Sequence, residues 1–331
     1  MNTVKLTVTA VSIAILSALS VTAMATATPN TQTEASSQAA SKAAACQCFD
    51  VQVTGQGPAL ILIPGVASSA EVWQHTVDSL KDRYQLHVLT LAGFAGTKPI
   101  AMQSWGEGYL ALQQAAILRY IDEQKLNKPV IIGHSLGGYL ALALAAKAPD
   151  SIGGAINVDG LPALGALFAG NNAGSNSANN SANNNSSQGS ANNQQGSNSA
   201  AQRFDPMAMA KSMASSEKWQ QQIVKDMYRS DGMTSGRVMG ELMRADLRPA
   251  LSDIRVPVLT LGALQHGAPY STPEQVQANY EQQLANAPAQ YHRFAFARDA
   301  KHFIMADAPD WLQKQIEQFL QSYSKEEAAS E

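Results

Sequence analysis

The residues of this sequence best suited to chemistry form a short run around one serine. Gly133-His134-Ser135-Leu136-Gly137 follows the apolar segment 130–132 and precedes an Ala- and Leu-rich stretch. This order predicts a strand, a sharp turn at Ser135 and a helix, with Gly133 and Gly137 where a side chain would collide with the neighbouring strand and helix. The turn would lift the hydroxyl above the sheet, at a helix N-terminus whose N–H groups favour developing negative charge. Such a serine is suited to attack a carbonyl carbon.

Apolar strands that alternate with amphipathic helices must position this serine. The pattern predicts an α/β fold, with a mostly parallel sheet and helices on both faces. In chain order, the predicted strands are 49–53, 59–63, 86–91, 130–132, 155–158, 256–261 and 291–296. Every residue of 59–63 is apolar, as expected for a strand that is covered on both faces. Helical periodicity predicts helices over 105–124, over 139–147, and through Trp311 and Phe319 near the end of the chain.

The strand, Gly-x-Ser-x-Gly turn and helix together resemble the α/β-hydrolase superfamily, and the resemblance covers residues 49–325. It implies the α/β-hydrolase fold, in which nucleophile, acid and histidine follow one another along the chain. His302, in the loop between the last strand and the final helix, matches the position of the family's general base. The backbone N–H groups of Val66 and Leu136 match its oxyanion hole, although Pro64-Gly65 stands where the family has His-Gly.

The acid departs from the commonest pattern of the family. Most relatives carry it after the strand that matches 256–261, but here that strand runs into residues 262–267, which contain no carboxylate. The superfamily's other location is directly after the strand that follows the nucleophile helix, where Asp159 stands. We therefore predict Asp159 as the acid, with Asp299 as its rival and a purely structural, helix-capping Asp159 as the alternative. Of the other histidines, His134 is predicted to have at most a supporting role, and the rest are predicted to be ordinary: His75, His87, His266 and His292.

The resemblance also implies what each group does. Asp159 would accept a hydrogen bond from one ring nitrogen of His302 and fix its tautomer. The other nitrogen would remove the proton of Ser135, and an acyl-enzyme would form and then be hydrolysed. Activity is predicted to rise with pH through one ionisation near the ordinary histidine value of about 6.5.

Composition excludes several classes of protein. The chain has 331 residues, and 23 Lys and Arg against 26 Asp and Glu give a formal charge of −3. Without a basic cluster, this balance argues against a nucleic-acid partner. Two cysteines are too few for a disulfide scaffold or a structural zinc site. The sequence shows no metal-ligand cluster, phosphate-binding loop or flavin fingerprint, so no metal and no cofactor are predicted.

The N-terminal residues predict export. Residues 1–25 combine a positive charge, an apolar run and Ala23-Met24-Ala25, which together predict a cleaved signal peptide and a periplasmic or secreted protein. An uncleaved anchor is the alternative, because the apolar run approaches spanning length; cleavage is favoured, so no stable membrane anchor is expected. Residues 26–48 predict a disordered linker, in which Cys46 and Cys48 either pair with each other or stay free.

A long insertion separates two predicted core segments, 49–160 and 256–325. Residues 161–255 predict a helical lid that contains a low-complexity Asn/Ser loop at 171–200. Seven of the eleven methionines lie between 204 and 248. Flexible thioethers either pack the helices of the lid or line an apolar tunnel over the site, and both interpretations stay open.

These features predict an exported serine hydrolase that cleaves carboxylic esters, with a small-molecule substrate that carries an apolar acyl group. Hydrolysis of amides, peptides or carbon–carbon bonds by the same triad is the first alternative. A peptidase acting on free N-termini would need a carboxylate in the lid, for which the candidates are Glu217, Asp226, Asp231, Glu241 and Asp246. A non-catalytic binding protein that kept the fold is the alternative from another class. The serine at position 135 excludes an aspartyl-nucleophile dehalogenase or epoxide hydrolase.

Overall fold

A seven-stranded sheet organises the chain in this computed structural model, which describes residues 46–169, 205–267, 269 and 271–330. The predicted signal peptide at 1–25, most of the predicted linker, and the predicted loop at 171–200 lie outside the described residues. The strands are β1 (Phe49–Thr54), β2 (Ala59–Ile63), β3 (Gln85–Leu91), β4 (Val130–His134), β5 (Gly154–Val158), β6 (Val258–Ala263) and β7 (His292–Ala297). Their order across the sheet is β1-β3-β2-β4-β5-β6-β7, and β1 alone of these strands runs antiparallel to its neighbour. The predicted mostly parallel α/β sheet is confirmed.

Helices connect these strands. They are α1 (Gln74–Leu80), α2 (Tyr109–Glu123), α3 (Leu136–Lys147), α4 (Ala166–Ala169), α5 (Pro206–Met213), α6 (Glu217–Arg229), α7 (Gly232–Arg244), α8 (Pro273–Gln283), α9 (Ile304–Asp307) and α10 (Pro309–Ser330). Short 3-10 helices cover Ala70–Trp73, Met102–Ser104 and Arg248–Asp253. Helices α5, α6 and α7, hereafter the inserted helices, lie in the chain between β5 and β6. Whether they act as a lid stays a prediction.

The hydrophobic core lies on both faces of the sheet, which explains the apolar strands. In β2, Ile61 and Ile63 join a cluster with α2 and α3, whereas Leu60 and Leu62 join a cluster with α1 and α10 on the other face. All four of these side chains are buried. Burying each of these side chains stabilises the fold by on the order of 2 kcal/mol, so a polar substitution on either face would lower the free energy of unfolding.

Most predicted boundaries differ from the structure by one to four residues. The strand predicted at 256–261 begins two residues later, at Val258. The helix predicted from residue 105 begins at Tyr109, because Gly106 and Gly108 adopt positive φ angles of 60° and 125° that do not continue a helix. The carboxylate of Glu241 then accepts hydrogen bonds from the N–H groups of Tyr109 and Leu110, at 3.0 and 3.1 Å. A distant residue of the inserted helices therefore caps α2, which the local sequence does not reveal.

The two cysteines of the predicted linker are joined by a disulfide between Cys46 and Cys48. Cys48 is buried against the core, and its carbonyl oxygen accepts a hydrogen bond from the N–H of Ala92. The linker therefore ends in a fixed attachment to the sheet. Among the described residues, the helices include none with the length and apolar character that crossing a membrane requires.

Candidate active site

Ser135 lies on a strained turn between β4 and α3. Its φ and ψ angles are 54° and −112°, outside the regions that side chains favour. A methyl group on Gly133 would overlap the carbonyl of Gly137, and one on Gly137 would overlap the carbonyl of Ile63. The turn therefore has room only for glycine on both sides of the serine, which is the physical reason for the spacing of the motif.

Replacing Gly133 or Gly137 with alanine should destabilise the protein by about 1–3 kcal/mol or more, because each added methyl group meets backbone that cannot move aside. A matched control is Gly236→Ala in α7, where an added Cβ has no atom within 4 Å. That change should be neutral or stabilise by up to about 1 kcal/mol, since alanine favours helix. Urea denaturation measures all three variants, and equal midpoints would contradict the packing argument.

The loop after β2 lies directly against this turn. A Cβ on Gly65 would come within 3.1 Å of the Ser135 Cβ and within 3.2 Å of the His134 Nδ1. Neither the N–H of Val66 nor that of Leu136 donates to another backbone group of the described residues. The two amides predicted to form the oxyanion hole therefore have no backbone acceptor among the described residues, and the loop that carries Val66 packs on the serine turn through Gly65.

Asp159 and His302, which are 143 positions apart in the sequence, are in contact at the same edge of the sheet. The Nδ1 of His302 lies 2.6 Å from the Oδ2 of Asp159, and both side chains are buried. Asp159 directly follows β5, and its own N–H donates to the Leu261 carbonyl of β6 at 2.8 Å. His302 follows β7. Because β4, β5, β6 and β7 are parallel neighbours, the carboxyl ends of β4, β5 and β7, which Ser135, Asp159 and His302 follow, lie at one edge of the sheet.

The Asp159 carboxylate is held on its other oxygen as well. Its Oδ1 accepts hydrogen bonds from the Ala263 N–H at 2.7 Å and from the Tyr280 hydroxyl at 2.8 Å. The turn behind it is fixed by Asn157, whose side chain bonds the N–H and the carbonyl of Gly160. Asp159 itself has a φ angle of 52°. A strained, fully bonded carboxylate of this kind is typical of a group that orients another side chain.

His134 connects the serine turn to His302. Its Nε2 lies 3.0 Å from the His302 carbonyl oxygen, and its ring lies 4.6 Å from the His302 ring. Since His134 immediately precedes Ser135, this contact brings the turn that carries Ser135 close to His302. Burial lowers the pKa of His134 to about 3, so this ring is neutral and its Nε2–H donates to that carbonyl. That His134 has at most a supporting role stays a prediction.

A model of the alpha/beta hydrolase family matches residues 60–314, more than three quarters of the chain. The chain belongs to the alpha/beta hydrolase family. A curated relative in this group, the pimeloyl-[acyl-carrier protein] methyl ester esterase of Vibrio parahaemolyticus, is 36% identical over 115 residues, which are 35% of this chain and 42% of the relative. The chain thus matches about two fifths of the length of that esterase.

Solved structures share the fold of this family member. A hydrolase from Pseudomonas aeruginosa superposes with a TM-score of 0.61 at 14% identity, over 82% of this chain and 94% of that one. A thermophilic esterase from Thermogutta terrifontis, solved with malate bound, gives a TM-score of 0.58 at 20% identity, over 83% and 93%. At these identities the likeness concerns the fold alone.

The prediction that His266 is an ordinary histidine is wrong for this family member. Its Nδ1 lies 2.9 Å from the Oδ2 of Asp159, the same oxygen that His302 contacts. The two imidazole rings lie 4.5 Å apart at an angle of 33°. The signal in the sequence was position: His266 follows β6 by three residues, in the loop where most relatives carry their acid. Asp299, the rival acid, is exposed and makes no hydrogen bond or ion pair with His302 among the described residues.

The cluster has a distinct charge pattern. Burial alone would raise the pKa of Asp159, but the facing His266 and His302 lower it well below its ordinary value. Burial lowers the pKa of His302, and the neighbouring His266 lowers it further, which together outweigh the effect of Asp159. Burial would also lower the pKa of His266, but the charge of Asp159 and its hydrogen bond raise it. Asp159 is therefore ionised, and His302 is neutral at neutral pH.

Asp159, His266 and His302 are also a set of side chains whose ligand atoms lie within 4.8 Å of one another. Two nitrogen or oxygen ligands of a tetrahedral zinc ion are about 3.3 Å apart, given metal–ligand bonds of about 2.0 Å. The Oδ2 of Asp159 is only 2.6 and 2.9 Å from the two histidine nitrogens. This spacing fits shared protons rather than a metal ion.

Proposed function

We propose that the protein is an exported serine hydrolase that cleaves carboxylic esters, with Ser135 as nucleophile, His302 as general base and Asp159 as the acid. The observation that carries this proposal is the hydrogen bond of 2.6 Å between His302 and Asp159, beside the strained turn that presents Ser135. Membership of the alpha/beta hydrolase family supports it independently.

The hydrogen bonds set the tautomer of the base. An ionised carboxylate only accepts, so the Nδ1 of His302 carries a proton and its Nε2 has a free lone pair. The Nε2 takes the Ser135 proton as Oγ attacks the ester carbonyl, and the N–H groups of Val66 and Leu136 stabilise the oxyanion. The imidazolium then protonates the leaving alcohol, which leaves an acyl-enzyme. Water, deprotonated by the same nitrogen, releases the acid.

An ester is favoured over a peptide as substrate. The Vibrio relative is named for a methyl ester that it cleaves. A peptidase acting on free N-termini would need an uncommitted carboxylate in the inserted helices, but the candidates are already bonded to protein groups. Asp226 accepts from Ser69, Glu241 caps α2, and the others contact their own neighbours: Glu217, Asp231 and Asp246.

The inserted helices are anchored next to the proposed oxyanion hole. Asp226 of α6 is buried, and its Oδ2 accepts hydrogen bonds from the N–H and hydroxyl of Ser69 at 3.0 and 2.7 Å. The carbonyl of Met213 accepts from the N–H of Phe303, beside the proposed base. An acyl chain that extends from Ser135 would therefore contact these helices. The methionines of these helices differ in burial: Met213 and Met227 pack against the core, whereas Met233 is 63% exposed.

A p-nitrophenyl ester series from acetate to palmitate tests the proposed substrate class. We expect hydrolysis that Ser135→Ala abolishes, with kcat/KM rising from acetate to medium-length chains because an apolar acyl group buries surface against the inserted helices. The matched p-nitroanilides should react far more slowly. Faster cleavage of the anilides would contradict the ester proposal, and a flat ester series would contradict the apolar acyl preference.

The rate should rise with pH through an ionisation that lies below 6.5, not at the ordinary histidine value. His302 acts only when it is unprotonated, and burial together with the neighbouring His266 lowers its pKa. A lower pKa means that the base is unprotonated at lower pH, so the acidic limb of the kcat/KM profile moves to lower pH. Measurement of kcat/KM from pH 4.5 to 8 checks this result; a midpoint at or above 6.5 would contradict it.

Export rests on the pattern of residues 1–25 and is supported by the Cys46–Cys48 disulfide, since disulfides persist in oxidising compartments. Intact-mass analysis of the secreted or periplasmic protein tests it. We expect a mature chain that begins at Thr26. A full-length chain that stays with the membrane fraction would favour the uncleaved anchor.

A further inference from the structure

The loop after β6 places a second histidine on the proposed triad carboxylate. The N–H of Leu264 donates to the Ala297 carbonyl, and the N–H of Gln265 donates to the Ala300 carbonyl, both at 3.0 Å. These bonds fix the loop against the segment that leads to His302. As a result the imidazole of His266 lies over that of His302, with both Nδ1 atoms on the Oδ2 of Asp159.

The hydrogen bonds around Asp159 leave its two oxygens fully occupied. The Oδ1 accepts from Ala263 and Tyr280, and the Oδ2 lies 2.6 Å from the Nδ1 of His302 and 2.9 Å from the Nδ1 of His266. A carboxylate has about four lone-pair sites, so these four donors use them all. Removing one donor leaves the carboxylate free to rotate away from His302 or to take up water.

The titratable groups that face His266 are few and their charges differ. Asp159 approaches from the end of β5, His302 from the loop after β7 and His134 from β4, whereas Tyr280 of α8 contacts the other oxygen of Asp159. The side chain of His266 is 40% exposed, whereas that of His302 is 10% exposed. The charge of Asp159 raises the pKa of His266 against the effect of burial, while burial and His266 lower the pKa of His302. As pH falls, the more exposed ring of His266 therefore takes a proton before the buried ring of His302 does.

We propose that His266 is a positioning residue of the proposed hydrolase: by donating to Asp159 Oδ2 beside His302, it orients the carboxylate and keeps the base active at lower pH. This inference rests on the proposed triad and goes beyond it, because nothing in the Ser135–His302–Asp159 scheme requires a second imidazole. The positive charge of protonated His266 thus disfavours protonation of the buried His302.

Two substitutions separate the two effects. His266→Gln keeps an N–H donor but removes the positive charge, and His266→Phe keeps a ring over His302 but removes the donor. His75→Gln, an exposed histidine that pairs with Asp310, is the matched control. The readout is the rate at which a fluorophosphonate labels Ser135 between pH 4.5 and 9, and circular dichroism confirms folding of each variant.

For His266→Gln we expect the midpoint of the acidic limb to move about one pH unit higher, because a like charge near His302 has been removed. The plateau rate should stay close to that of the wild type, because glutamine keeps an N–H donor. For His266→Phe we expect the same raised limb and a plateau about tenfold lower, the equivalent of one hydrogen bond. His75→Gln should match the wild type. An unchanged limb in folded His266→Gln, or an unchanged plateau in folded His266→Phe, overturns the proposal.

A titration of the wild-type protein tests the same inference without relying on a variant's stability. Histidine ring signals followed by NMR should show His266 keeping its proton to a higher pH than His302, and the reverse order overturns the proposal. Failure of the proposed function looks different: a folded wild type that the fluorophosphonate does not label removes the triad, and the role of His266 with it.

Discussion

Asp159→Asn is expected to lower kcat by about 10^4-fold with little change in KM. The reason is the orientation of the new amide. The Ala263 N–H and the Tyr280 hydroxyl both donate to Oδ1, so the carbonyl oxygen of asparagine must take that position. Its NH2 group then faces the Nδ1 of His302, which has to accept. The ring proton moves to Nε2, and the base loses the lone pair that takes the Ser135 proton.

Asp299→Asn is the matched control, because Asp299 is an exposed aspartate three residues from His302. Its turnover should stay within about twofold of the wild type, as expected for a surface substitution. Steady-state kinetics on the best ester of the series compares the two variants. Comparable losses in both, or a larger loss in Asp299→Asn, would show that Asp159 is not the acid.

Ser135→Ala and His302→Ala should each lower kcat by about 10^6-fold, and the double variant should be no worse than either single one. In the proposed mechanism the serine attacks only when the histidine takes its proton, so loss of the second residue should lower the rate no further. The N–H groups of Val66 and Leu136 remain, and they account for the residual rate.

Single-turnover assays with concentrated enzyme measure such low rates, and Ser151→Ala, an exposed serine outside the cluster, is the control. Additive losses in the double variant would mean that the two residues act in separate steps. A small loss in His302→Ala alone would mean that another group serves as the base.

The strands, and the placement of Ser135, Asp159 and His302 after their carboxyl ends, were predictable from sequence, because those signals are largely local. Strand β2 has the predicted bounds, Ala59–Ile63, since its apolar run ends at turn residues on both sides. The glycines of the Ser135 turn followed from the lack of space for a side chain. Asp159 was found from a rule of topology: a carboxylate at the carboxyl end of β5 faces groups that follow β4 and β7.

The features that the sequence did not reveal depend on contacts between distant residues. The position of His266 results from the backbone bonds that tie its loop to Ala297 and Ala300, and only the folded chain shows them. The cap of α2 is Glu241, more than 130 positions downstream. The sequence allows Cys46 and Cys48 either to pair or to stay free, because a ring with one intervening residue is strained, and the folded chain shows the bond.

Labelling with a fluorophosphonate, followed by peptide mass spectrometry, tests most directly whether Ser135 is an activated nucleophile. We expect one modified site in the wild type, at Ser135. Ser135→Ala should remain unlabelled, and labelling of His302→Ala should be slower by several orders of magnitude. A folded wild-type protein that stays unmodified, as a non-catalytic binding protein would, or one that is modified at a different serine, would show that Ser135 is not the nucleophile.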